Sequence, residues 1–136
     1  MLSRVADSVR PYRLALAVVS LAVVLGSQAC SDESGKPDDC VVVQNAQVTI
    51  DGTVAGWEPA CLEVKVGAQV AFTANLLDEL PHDLKVSGPG LDEAVSSGEP
   101  VTGGTISLEV AFDEAGTYEY VCSVHANMKG DVYVEP

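Results

Sequence analysis

The chain has 136 residues, enough for one domain with a modest core, and sets 7 Lys and Arg against 20 Asp and Glu for a formal net charge of −13. So acidic a chain argues against nucleic acid and against an anionic membrane surface as partners.

The first element is an N-terminal segment with Arg4, Arg10 and Arg13, followed by the apolar run LALAVVSLAVVL from Leu14 to Leu25. That run is too short to span a bilayer as a helix. A buried core helix would carry polar residues at helical spacing, and this one has only Ser20. Basic flank, short apolar run and the small-x-small triplet Ser27-Gln28-Ala29 read as a secretory signal peptide over 1–29, cut before Cys30. Cys30, followed by the polar SDESGKPDD, resembles the lipidated first residue of a bacterial lipoprotein, although Ser27 and Gln28 depart from the usual lipobox. Residues 30–39 then form a polar tether, and 40–136 the folded domain. Removal of 1–29 leaves 4 Lys and Arg against 19 Asp and Glu, a net −15. That charge serves solubility or steers the chain toward a basic protein partner.

From Cys40 onward the hydrophobic pattern has period two. Val64 and Val66 alternate with Glu63 and Lys65, and Val70 and Phe72 with Gln69 and Ala71. Ile106, Leu108, Val110 and Phe112 make the clearest stripe; Tyr118, Tyr120 and Cys122 share one strand face, and Val132 and Val134 another. Asp51-Gly52, Gly67, Gly88-Pro89-Gly90, Gly103-Gly104 and Gly116 separate the runs. The expected fold is all-β, a two-sheet β-sandwich of seven to eight strands, with 90–103 its least regular stretch.

The chemistry concentrates near the C-terminus. In YVCSVHANMKG, Cys122, His125 and Met128 stand three residues apart. Upstream, His82 shares its strand face with Leu84 and Val86, so it points inward. Both histidines of the chain, and the only methionine besides Met1, fall in this set. Two imidazoles, a thiolate and a weak thioether are the blue-copper ligand set. With Cys122 as a metal ligand and Cys30 as a lipid carrier, Cys40 and Cys61 remain as one disulfide pair in an oxidising compartment.

Four stretches, WEPACLEVKVGAQVAF, LPHDL, AGTYEYVC and CSVHANMKGDVYV, resemble the cupredoxins, the small blue-copper proteins, in the family's own order. The resemblance covers nearly all of 45–136, and the short Cys-x-x-His-x-x-Met loop is most similar to that of amicyanin. It implies a Greek-key sandwich holding one copper ion on His82, Cys122, His125 and Met128. His125 would lie nearest the surface, as the exit for the electron. Three positions depart from the family. Asp83 replaces an Asn thought to tie the ligand loops together by donating a hydrogen bond, which an ionised carboxylate cannot do. Its charge near the metal should favour Cu(II) and lower the potential. Val124 and Ala126 stand where the relatives have prolines, which leaves the stiffness of the loop unaccounted for.

Rival readings are weaker. Methionine is a poor zinc ligand, and structural zinc takes four Cys or His groups. A cysteine nucleophile with His125 as base needs an orienting third group and an open pocket. Trp57 and Tyr118 read as core packing rather than electron relays. The acidic group Asp78, Glu79 and Asp83 reads as a solvated loop or as a surface attracting a basic redox partner. The expectation is therefore a monomeric, exported electron carrier with no enzymatic activity, lipid-anchored through Cys30 at the periplasmic or outer cell surface. A copper storage or delivery module with the same ligands is the alternative.

Overall fold

The computed structural model describes residues 35–136, and all regular structure among them is β. The expected signal peptide, Cys30 and the first part of the tether lie outside the described residues. Ten strands form: β1 (Val41–Val42), β2 (Gln47–Thr53), β3 (Gly56–Glu58), β4 (Cys61–Lys65), β5 (Ala68–His82), β6 (Lys85–Ser87), β7 (Val95–Ser96), β8 (Val101–Phe112), β9 (Gly116–Val121) and β10 (Lys129–Glu135). Setting aside β1 and β7, each of 2 residues and too short to leave a period-two signature, the count matches the sequence pattern.

The strands assemble into a six-stranded sheet, β1-β4-β10-β9-β6-β7, and a four-stranded sheet, β3-β2-β5-β8. The alternation seen in the sequence sets the core. Ile106, Leu108, Val110 and Phe112 of β8 face inward beside Val70, Phe72 and Ala74 of β5, and meet Leu62, Val64, Tyr118, Tyr120, Val132 and Val134 from the other sheet. Each large apolar side chain so buried contributes about 1.5–3 kcal/mol. Phe72 reaches Tyr120 across the sandwich at 6.2 Å between ring centroids, and Phe112 meets Tyr118 edge-on at 4.9 Å. Trp57 and Tyr118 are core residues, as read from the sequence, and Val66 is the exception to its stripe, exposed in the turn after β4.

Three glycines make room for aromatic rings, Gly88 beside Tyr118 among them. Gly130 lies opposite Tyr120 in the β9–β10 pair, where a Cβ would sit 2.1 Å from the ring. At Gly52 a Cβ would meet the Trp57 ring at 2.3 Å. The structure bonds Cys40 to Cys61, with Cα atoms 4.6 Å apart, which fastens the segment entering β1 to the start of β4. Lys36 adds a second fastening through ion pairs to Glu63 at 2.6 Å and Glu135 at 3.0 Å.

Candidate metal centre

The site lies where the two sheets meet at one end. His82 is the last residue of β5 in the four-stranded sheet, and Cys122 follows β9 in the other. The chain then turns through 123–127 and returns as β10 immediately after Met128. Two backbone hydrogen bonds close the turn: Cys122 N–H donates to the Met128 carbonyl, and Met128 N–H to that of His125, both at 3.0 Å. This spacing of three and three therefore sets Cys122 and Met128 side by side with His125 at the bend.

The three sequence-predicted nitrogen and sulfur donors converge. Cys122 Sγ lies 3.9 Å from His82 Nδ1 and 3.7 Å from His125 Nδ1, and all three atoms fall within 4.8 Å of one another. His82, Cys122 and Met128 are buried, while His125 is partly exposed. Metal–sulfur and metal–nitrogen bonds of about 2.3 and 2.0 Å put sulfur and nitrogen about 3.7 Å apart in a trigonal plane, against about 3.5 Å at a tetrahedral angle. The observed separations are of the size that one metal ion shared by the three donors requires. A soft thiolate with two imidazoles in that arrangement suits copper better than a structural zinc.

The surroundings hold the donors in place. His82 Nε2–H donates to Asp78 Oδ1 at 2.6 Å, which leaves Nδ1 free to face Cys122. That hydrogen bond, followed in effect by those from the Val54 and Leu80 backbone, outweighs desolvation and holds the Asp78 carboxyl down at about 2. Asp78 sits where the β5–β8 register breaks between Leu76 and Pro81, and this irregularity brings a residue four before His82 back onto its ring. The Trp57 ring packs 6.5 Å from that of His82.

Asp83 corrects an expectation. It ties the His82 segment to the Cys122 segment, and it does so by accepting: Ser123 N–H and Ser123 Oγ–H both donate to it at 2.6 Å. The tie needs an acceptor on this side, which a carboxylate supplies as well as an amide. Burial pushes the Asp83 carboxyl up, but the Ser123 hydrogen bonds prevail, helped by the Cys122 side chain and by Lys85 at 3.6 Å, and it lies below the ordinary range. The supposed solvated acidic cluster is thus divided. Asp83 is buried, Asp78 is committed to His82, and only Glu79 of the three is exposed. The loop that lacks the family's prolines is also pinned, since Asn127 Nδ2 donates to the Val54 carbonyl. Neither Ser123, Asn127 nor Val54 was legible as a partner, because their bonds join segments 24 to 73 positions apart; Asp78, four residues before His82, offered only its carboxyl as a hint, since the register break that turns it onto the ring leaves no local signal.

The profile of copper binding proteins of the plastocyanin/azurin family matches residues 44–135. The chain belongs to this family. This cupredoxin is 30% identical to amicyanin of Paracoccus denitrificans over 132 residues, covering 94% of the chain and 98% of that relative. It is 38% identical to amicyanin-alpha of Methylorubrum extorquens over 74 residues, which span 54% of the chain and 60% of the relative's length. Among solved structures, a reduced tryptophan-to-tyrosine mutant of amicyanin superimposes with a TM-score of 0.52 at 30% identity, over 68% of the chain and 86% of that protein. A Cu(I) methionine-to-alanine mutant of amicyanin also scores 0.52, at 29% identity and with the same coverage. The cofactor of this cupredoxin is one copper ion, and the chain is a blue-copper protein of the electron-transfer class.

Proposed function

We propose that His82, Cys122, His125 and Met128 hold the copper, and that the protein passes single electrons between protein partners outside the cytoplasm. The observation that carries this reading is the convergence of His82 Nδ1, Cys122 Sγ and His125 Nδ1 within 4.8 Å of one another. When bound, copper supplies a Cu(II)/Cu(I) couple of one electron. Cys122 would supply the thiolate and Met128, buried beside it, a weaker thioether donor. Asp78 keeps the His82 ring in one orientation and tautomer. Asp83 keeps the Cys122–Ser123 peptide against the His82 segment and places a negative charge there. The β-sandwich holds these groups still, so little moves when the charge changes. His125, the partly exposed donor, is the edge a partner approaches.

On this reading the chain is a carrier and no enzyme. Residues 1–29 direct export, Cys30 takes the lipid anchor and 30–39 form the tether; the Cys40–Cys61 bond supports an oxidising compartment. The net −15 expected after processing suits a basic redox partner. Cyclic voltammetry of the copper-loaded domain tests the carrier role. A reversible one-electron wave is expected, with copper retained as Cu(I) in the presence of a Cu(I) chelator. Rapid loss of Cu(I) to the chelator would instead assign the protein to copper storage or delivery.

A further inference from the structure

The β2–β3 hairpin carries no ligand, yet its tip touches both segments that do. Val54 lies at that tip, between Thr53 at the end of β2 and Gly56 at the start of β3. Its N–H donates to Asp78 Oδ2 at 2.7 Å, and the other oxygen of that carboxylate accepts from His82 Nε2. Its carbonyl accepts from Asn127 Nδ2, in the turn between His125 and Met128. The N–H and C=O of one residue thus serve two ligand segments that lie 24 and 73 positions away. The tip is itself braced, because Ala55 N–H donates to Thr53 Oγ1 at 3.3 Å. Gly56 closes the tip with φ at +152°, a backbone conformation that residues with a side chain rarely adopt.

We propose that the main chain of Val54 is a positioning element for the copper centre, locking the His82 ring through Asp78 and the Cys122–Met128 turn through Asn127. The proposal rests on the ligand assignment above. It explains how a ligand turn with Val124 and Ala126 where the relatives have prolines is kept rigid: a hydrogen bond to a hairpin from the other sheet replaces a constraint within the loop. It also couples the two ligand segments, since displacing the hairpin tip loosens both at once. Asp78 and Asn127 are therefore positioning residues that act through one shared peptide. Neither is a ligand.

The test uses Asp78→Asn, Asn127→Ala and the double variant. Asp78→Asn keeps the shape but turns an NH₂ toward either Val54 N–H or His82 Nε2–H, so one of the two bonds must break. The first readout is the ¹H–¹⁵N spectrum of the copper-free protein, where the hydrogen-bonded His82 Nε2–H should give a protected resonance. Asn127→Ala should shift that resonance, although Asn127 bonds to Val54 and not to His82. Melting temperatures of the copper-free variants establish that they are folded. The second readout is Cu(II) affinity by competition. Each single variant is expected to lose about tenfold or more, as changes behind metal ligands do. The double variant should lose clearly less than the product of the two, because both cut the same link. An unshifted His82 Nε2–H resonance in Asn127→Ala, or fold-losses that multiply in full, would overturn the proposal. A wild-type protein that gives no blue Cu(II) form would overturn the ligand assignment instead, and with it the role given to Val54.

Discussion

Asp83→Asn exchanges a buried carboxylate beside the copper for an amide of the same size, and its main effect should be on the reduction potential. Asp83 is 1% exposed and accepts two hydrogen bonds from Ser123. It follows His82 directly, and its partner Ser123 follows Cys122, so the charge lies beside two proposed ligands at once. At a separation of roughly 6–7 Å and an effective dielectric of about 20, a unit charge is worth about 2–3 kcal/mol to the metal. At 59 mV for each factor of ten that is about 100 mV for one electron. Lys85, 3.6 Å away and itself partly exposed, offsets part of the field, which leaves roughly 50–100 mV. The sign is fixed: removing a negative charge destabilises Cu(II) more than Cu(I), so the potential rises. Stability should change little. The amide oxygen still accepts from Ser123 N–H, and the Ser123 hydroxyl can turn to accept from the new NH₂. Weaker neutral bonds cost about 1–2 kcal/mol, offset by no longer burying a charge. Voltammetry of copper-loaded wild type and variant at one ionic strength reads the shift. Ser123→Ala, which keeps the charge and loses one hydrogen bond, should move the potential less. A potential in Asp83→Asn that is unchanged or lower would refute the electrostatic argument.

Three further predictions concern the scaffold. Replacing Cys40 and Cys61 by serine opens a closed loop of 21 residues, for a loss of about 3 kcal/mol and a melting point lower by more than about 10 °C, with the visible copper spectrum unchanged; equal melting points would contradict it. Lys36→Ala should lower stability near neutral pH. Hydrogen bonding to Lys36 holds the Glu63 carboxyl below its ordinary 4.5, so this contribution is present above that pH and fades as pH falls through the lowered value. Chemical denaturation at pH 7 and pH 3 should therefore show a difference that shrinks at the lower pH, and a gap that widens there would be the wrong sign. Gly130→Ala places a Cβ against the Tyr120 ring, whose hydroxyl donates to the Pro59 carbonyl at 2.5 Å and cannot move freely. A loss of about 1–3 kcal/mol is expected from thermal melts, and wild-type stability would show that the strand pair has room to spare.

The sandwich was legible because alternation along a strand is a local signal: Ile106 to Phe112 and Tyr118 to Cys122 show their buried faces in a few residues. The candidate donors were legible for the same reason, as Cys122, His125 and Met128 are close in sequence, and His82 carried its inward direction from Leu84 and Val86. What could not be read are bonds between distant segments. Asp83 looks like a solvated acid until Ser123, forty positions on, arrives to donate to it. Asp78 belongs to the same acidic group by composition, yet the break in the β5–β8 register turns it onto His82. Val54 carries no chemical signal at all, since its main chain makes both contacts and any residue but proline would supply the same N–H and C=O. The short β1 and β7 arise from pairing with β4 and β6 rather than from their own pattern.

The central proposal is that Cys122, with His82, His125 and Met128, binds copper through its thiolate. Titration of the purified copper-free domain with Cu(II), followed by visible absorption, tests it most directly. An intense blue thiolate-to-copper band is expected, saturating at one copper per chain and absent in Cys122→Ala. A colourless product from the wild-type protein, or a band that survives in Cys122→Ala, would contradict it.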